Sequence, residues 1–394
     1  MKKSMNGVLV IVLVIMTAVL ASFALQGCKE KNQVPEVEAI WADMPENTNP
    51  NLKWMGFWGS DYDWREGEEA VALDKLIETN TTNIDFICGW TPDNVRMSVE
   101  KSVKANRKVF LRWHLGFAGY DAEDLQPKYK EFIDGYGDYV YGFYIDEPHW
   151  NGISMEEFTA KTKFIRENYP GKELLVVMAV AEFCPNAATL VKGFNKDGRF
   201  QAYVAPEGYY DYCTLLGFDF YTTLGSYDKE ETNDIYKILH RAYIDWFVAD
   251  LIELKNPDQK LWFCAKGFWV APSDTSFNSP LENRTEGLEP GDDIIDILKW
   301  HWTLAQEYHD FEGICFYSWE NGYYDTWGIA LESFMREDLS YTADQFDRAG
   351  DEYAGTYYRE DLVKHFQQVC RALILNNEHK PYYYLGDGEF IAWK

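Results

Sequence analysis

Short apolar runs bounded by polar or breaker residues recur along the chain, and stretches with helical spacing of apolar positions lie between them. In order, the strand-like runs are Lys53–Trp58, Asn83–Trp90, Lys108–His114, the run that opens Val140–Trp150, Glu173–Ala181, Leu215–Tyr221, Lys260–Val270 and Gly313–Trp319. The helical stretches between and after them lie near Glu66–Glu78, Asn94–Ala105, Asp124–Tyr136, Ser154–Asn168, Glu231–Leu254, Asp292–Glu307 and Arg359–Leu375. Ser154 with Glu157 three residues on makes a capping-box start. Strands alternating with helices in this way predict an α/β protein with one closed parallel sheet, a single (β/α)8 TIM barrel. Pro381–Lys394 reads as an extended tail packed on that barrel.

Alternation along each strand predicts which side chains enter the barrel. Phe110, Arg112 and His114 share one face of the third run, against Leu111 and Trp113. In the fourth, Gly142, Tyr144 and Asp146 oppose Phe143 and Ile145. Gly217, Asp219 and Tyr221 group on the sixth, and Lys266 is in phase with Cys264 and Trp262 on the seventh. Polar groups on the inner face cost desolvation unless paired. Their gathering at strand ends predicts a site at the mouth formed by Arg112, His114, Asp146, Asp219, Tyr221 and Lys266. The fourth run, VYGFYIDEPHW, ends in adjacent carboxylates, Asp146 and Glu147, followed by Pro148. One of the two could instead cap the helix that follows.

Before the barrel, Lys2 and Lys3 precede an apolar run, Val8–Leu25, that ends in Leu25-Gln26-Gly27-Cys28. This reads as a secretory leader, and its last four residues resemble a bacterial lipoprotein box with Cys28 as the lipidated residue. An uncleaved membrane anchor is the alternative, the run being near spanning length. The expected division is a signal peptide over 1–27, a polar tether over 28–50 and a barrel over 51–394, held outside the cytoplasm at the cell envelope or surface. The net charge of −27 argues against nucleic acid as a partner. Aromatic residues make up 17% of the chain, more than a core usually needs, and aromatic faces are what sugar rings stack on. Besides Cys28, cysteines stand at 88, 184, 213, 264, 315 and 370; they show no short metal-ligand spacing and predict no disulfide framework. No GxSxG elbow, P-loop, GxGxxG after a strand, or HExxH occurs, and no metal or cofactor is expected.

The order YGFYIDEP on strand four, an Asp-Tyr pattern on strand six and SWE on strand eight resembles a barrel glycoside hydrolase. The Asp-Glu pair is similar to that of substrate-assisted N-acetylhexosaminidases, such as glycoside hydrolase families 20 and 123. Asp-Glu-Pro also looks like the Asn-Glu-Pro of the large retaining clan, but that clan ends strand seven in a nucleophilic Glu, and KLWFCAKGFWV has none. The resemblance covers about Asn51–Leu375. It implies an oligo- or polysaccharide substrate, Glu147 as general acid, Asp146 on the 2-acetamido nitrogen and Tyr221 on its carbonyl oxygen. Trp319 and Trp90 would floor the sugar subsite. The alternatives are a conventional glycosidase pairing Glu147 with Glu320 or Asp219, with Glu182 a further strand-end acid, and a non-catalytic glycan-binding surface lipoprotein.

Overall fold

The computed structural model describes residues 46–59, 71–89, 91–113, 122–184, 204–220, 230–266, 268–270, 292–317, 326–328 and 360–393. The expected leader, Cys28 and most of the expected tether lie outside them. Among the described residues no helix is long and apolar enough to cross a membrane.

Eight parallel strands form one sheet: β1 (Trp54–Phe57), β2 (Ile84–Ile87), β3 (Lys108–Arg112), β4 (Val140–Asp146), β5 (Glu173–Ala179), β6 (Leu215–Phe220), β7 (Lys260–Lys266) and β9 (Phe311–Tyr317). From β2 through β7 to β9 each strand pairs with the next, and β9 pairs with β1, so the sheet curls into a barrel. The seam lies between β1 and β2, where Asn83 makes the connection. Its backbone N–H donates to the Met55 carbonyl at 3.0 Å, and its Oδ1 accepts from the Met55 N–H at 2.8 Å. Gly56 permits that approach, since a Cβ there would lie 2.8 Å from the Ile84 carbonyl oxygen.

The connecting helices are α1 (Val71–Glu78), α2 (Pro92–Lys104), α3 (Ala122–Tyr136), α4 (Met155–Asn168), the single turn α5 (Val180–Phe183), α6 (Glu230–Leu254), α7 (Asp292–Glu307) and α8 (Glu360–Leu375). α2 starts at Thr91, whose side chain accepts from the Asn94 N–H, with Pro92 supplying a preset φ. α4 starts at Ser154, whose Oγ accepts from the Glu157 N–H at 3.2 Å, as the capping box predicts.

Two apolar cores follow from strand alternation. Met55, Leu111, Trp113, Phe143, Ile145, Leu216, Phe218 and Phe263 pack outward in the core that includes residues of the helices. Trp54, Trp58, Phe86, Phe110, Tyr144, Val177, Trp262 and Cys315 fill the barrel. Trp262 spans the interior against Phe86 and Phe110, with ring centroids 5.8 and 5.5 Å away. A Cβ at Gly313 would collide with its indole. The interior is therefore solid up to the level of Tyr144 and Trp58, whose rings meet edge-on at 4.3 Å. Chemistry is left to the mouth above them. The six cysteines of the barrel are all buried and unpaired with one another.

Two expectations need correction. The seventh run is not one strand: β7 ends at Lys266, and Phe268–Val270 forms β8, pairing antiparallel with β10 (Thr326–Gly328) outside the barrel sheet. The C-terminal segment is no simple tail. It forms a hairpin, β11 (Tyr382–Gly386) and β12 (Glu389–Ala392), turning at Asp387-Gly388 with φ of 51° and 75°. Two residues at positive φ suit the right-handed twist of a tight hairpin. Tyr384 is docked on Asn80, its N–H donating to Oδ1 at 2.9 Å.

Candidate active site

The mouth is built from strand ends. Arg112, the last residue of β3, points inward with Phe110, and its carbonyl is held from outside by the Tyr129 hydroxyl. Among the described residues its guanidinium reaches Cys88 and Asp146: Nη1 donates to Cys88 Sγ at 2.9 Å, and Nη2 lies 3.5 Å from Asp146 Oδ2. Asp146 keeps 33% of its side-chain surface accessible, so this carboxylate is held from one side and open on the other.

Glu147 extends β4 by one rung, its N–H donating to the Val177 carbonyl at 2.7 Å. There the chain turns: Glu147 sits at φ 37°, a left-handed conformation that costs a residue with a Cβ about 1–2 kcal/mol. The surroundings hold it there. Asn151 donates to the Glu147 carbonyl from its N–H at 3.0 Å and from Nδ2 at 2.9 Å. The N–H groups of Gly152 and Ile153 close the turn on the carbonyls of His149 and Pro148. Positive φ swings the Glu147 side chain out of strand alternation toward Asp219 of β6, and the two carboxyls share a hydrogen bond.

Glu182, in α5, lies beneath this turn and is 1% exposed. Its Oε1 accepts the Trp150 N–H at 2.8 Å and its Oε2 the Tyr210 hydroxyl at 2.5 Å. Tyr209 ties the same segment to the turn, its hydroxyl donating to the Ile153 carbonyl at 2.8 Å.

Four carboxyls thus lie near one another, one of them, Asp146, beside the Arg112 guanidinium, and their proton affinities separate accordingly. Burial, then the charges of Asp219 and Asp146 and the bond to Asp219, push Glu147 well above the usual carboxylate range. Asp219 also rises, through burial and then Cys264 and Asp146, with the bond from Glu147 pulling back. For Asp146 burial raises the pKa, opposed by Arg112. Glu182 is pushed up to about 8, chiefly by burial, against the two donors it accepts from. Burial disfavours the Arg112 charge, but Cys88, Asp146 and Tyr144 outweigh it, so the guanidinium stays protonated. The mouth therefore offers a proton-holding carboxyl pair, Glu147 with Asp219, beside the arginine-paired Asp146, a division of labour suited to acid–base chemistry.

Of the residues singled out in the sequence, Arg112, Asp146, Glu147 and Asp219 meet here. Lys266 ends β7 in register with Tyr317. Trp90, His114, Tyr221, Trp319 and Glu320 lie outside the described residues. Alternation did not single out two partners, Cys88 and Tyr210. Cys88 is in phase with Ile84 and Phe86, so the same rule would have placed it beside Arg112. Tyr210 stands in a segment with no strand or helix period and carries no such signal. Among the described residues, no three His, Cys, Asp or Glu side chains are grouped to hold a metal ion.

No family model matches the chain, and no curated protein does. Solved structures do resemble it distantly. A proposed alpha-L-fucosidase from Bacteroides thetaiotaomicron aligns over 82% of this chain and 100% of its own, at 12% identity and a TM-score of 0.40. The catalytic domain of a hyperthermophilic chitinase from Pyrococcus furiosus aligns over 83% and 98%, at 10% identity and 0.42. An intracellular xylanase from Thermoanaerobacterium saccharolyticum aligns over 72% and 94%, at 13% identity and 0.39.

Proposed function

We propose that the chain is a glycoside hydrolase that cleaves an oligo- or polysaccharide outside the cytoplasm, with Glu147 as general acid and the substrate's own 2-acetamido group as nucleophile. The observation that carries this reading is the pairing pattern of the carboxyls. Glu147 is bonded to Asp219, whereas Asp146 faces Arg112 and remains open. Two carboxyls that flank a glycosidic bond stand about 5–5.5 Å apart in retaining enzymes and about 6.5–9.5 Å apart in inverting ones. Carboxyls in hydrogen-bond contact leave no room for the bond between them. Asp219 therefore suits the task of holding the Glu147 proton rather than that of nucleophile.

In the proposed reaction Glu147 delivers its proton to the glycosidic oxygen as the C1–O bond breaks. The acetamido carbonyl oxygen closes on C1, and the Asp146 carboxylate accepts the acetamido N–H. Glu147, now a carboxylate, takes a proton from the water that reopens the ring, which restores the acid. Arg112 keeps Asp146 ionised while this happens. The leader and Cys28 support a lipid-anchored location, for which mass spectrometry of the mature N-terminus should find lipidated Cys28; an intact leader with unmodified Cys28 would contradict it.

A panel of chromogenic glycosides, matched with and without a 2-acetamido group, tests the function. Turnover confined to the acetamido series is expected. Equal turnover of matched 2-hydroxy glycosides would remove the acetamido group from the mechanism, and no turnover of any glycoside would overturn the enzymatic reading.

A further inference from the structure

The carboxyl that the proposed reaction leaves unused is Glu182. At 1% exposure it has no surface to offer a substrate, which removes it from the candidates for nucleophile. Its contacts lie instead on the turn that carries Glu147. One oxygen holds the Trp150 N–H and the other the Tyr210 hydroxyl, while its backbone carbonyl accepts from the Ala205 N–H at 2.6 Å. One side chain thus bonds the turn after β4 to the segment that precedes β6, where Asp219 stands.

Glu147 has need of such a tie. It occupies positive φ, so a released turn would relax toward negative φ and carry its carboxyl away from Asp219. We propose that Glu182, seated on Tyr210, is a positioning residue that clamps the Glu147–Trp150 turn and so keeps the acid against Asp219. The assignment rests on Glu147 being the general acid.

The clamp has a signature that simple loss of packing lacks. Mispositioning Glu147 slows proton delivery to the leaving oxygen and proton removal from water, and it spares only the cleavage of a bond whose leaving group needs no proton; a shift near 1 Å costs on the order of 10²-fold. It also returns Glu147 toward water, so the alkaline limb of kcat/KM must move to lower pH. The titrating groups that face Glu182 are Tyr210, Tyr209, Glu147, Asp146 and Asp219, and only Glu147 supplies a proton in the reaction.

The test uses the full barrel with Glu182→Gln and, separately, Tyr210→Phe, which leaves the Trp150 bond in place. Each is assayed on two acetamido glycosides, one with a poor leaving group and one with a dinitrophenolate. Glu182→Gln should lose about 10- to 100-fold in kcat/KM on the poor leaving group, keep a near-normal kcat/KM on the dinitrophenyl substrate, where C1–O cleavage needs no proton, and show the shifted limb. Tyr210→Phe should show the same pattern more weakly. Equal losses on both substrates with an unmoved limb, in either variant, would overturn the clamp. If Glu182→Gln does not fold, Tyr210→Phe alone decides by the same criterion. Glu147→Gln, run beside them, separates the two readings: full activity there sinks the acid assignment, whereas an inactive Glu147→Gln with a wild-type Glu182→Gln sinks only the clamp.

Discussion

Two arginine–aspartate pairs bridge the first strands of the barrel, and they differ in almost every physical respect. Arg107 and Asp85 meet at 2.6 Å with 2% and 0% of their side chains exposed, near Cys370 of α8 on the outer face of the sheet. Arg112 and Asp146 stand 3.5 Å apart with 23% and 33% exposed, on the inner face at the mouth. The first pair is closed, with a short charge-assisted contact and no route to solvent. The second is slack, its guanidinium divided between a thiol and a carboxylate that still has a face to give away. The same residue types hold the sheet together in one place and, in the proposed reaction, serve the substrate in the other. Burial and spacing, not composition, make the difference.

That contrast can be broken experimentally, and the largest effect concerns catalysis. Glu147→Gln is nearly isosteric and should lose about 10²–10⁴-fold in kcat on substrates with poor leaving groups, with an unfolding midpoint in urea close to wild type. The next effect belongs to the closed pair. Arg107→Met leaves Asp85 charged and unpaired in the core, and urea unfolding should register a loss of about 3–5 kcal/mol, with kcat per folded molecule unchanged. Arg112→Met should invert that outcome. A partly exposed pair held at 3.5 Å contributes less than a closed one, so stability should fall by less than at Arg107→Met. Asp146 would lose the charge that opposes its burial, and each unit its pKa climbs above the assay pH removes about ten-fold of the ionised form. Acetamido turnover should fall accordingly. A stability loss at Arg112→Met as large as at Arg107→Met would erase the distinction.

A smaller effect is expected in the pH dependence of stability. Glu182 binds its proton more tightly folded, near 8, than its ordinary 4.5. Between those values the native state holds more protons than the unfolded one, so this group lowers stability as pH rises through the window and leaves it intact below. Glu147 and Asp219 act in the same direction. Melting temperatures should decline from pH 5 to pH 9, and the decline should be shallower in Glu182→Gln. An equally steep decline in that variant would contradict the burial of a titrating Glu182.

The inner face of the mouth was legible because alternation is a strong constraint when a sheet is buried on both sides. It put Arg112 and Asp146 inward and Leu111 and Trp113 outward, as the two cores have them. The capping box at Ser154 was legible for a local reason, since four consecutive residues contain the whole motif. Strand seven was read too long because Phe268–Val270 continues the apolar run after Gly267, and hydropathy does not record that the chain has changed partner. The hairpin carried a readable signal in Asp387-Gly388, which the scattered aromatics around it obscured. The closed pair was illegible. Arg107 and Asp85 are 22 positions apart, and nothing local to either reports that helix packing seals both. Glu182 was visible as a strand-end acid, yet its burial depends on Tyr210, which lies in a stretch without periodicity.

In the proposed reaction no side chain attacks the sugar. Azide rescue with an activated aryl 2-acetamido glycoside, reading the configuration of the glycosyl azide formed, puts this to the test. Glu147→Ala lacks the base that activates water, and azide should replace that water to give a glycosyl azide of retained configuration. Asp219→Ala and Glu320→Ala should give no product of inverted configuration. An inverted glycosyl azide from either would mark that residue as a covalent nucleophile and contradict the acetamido mechanism.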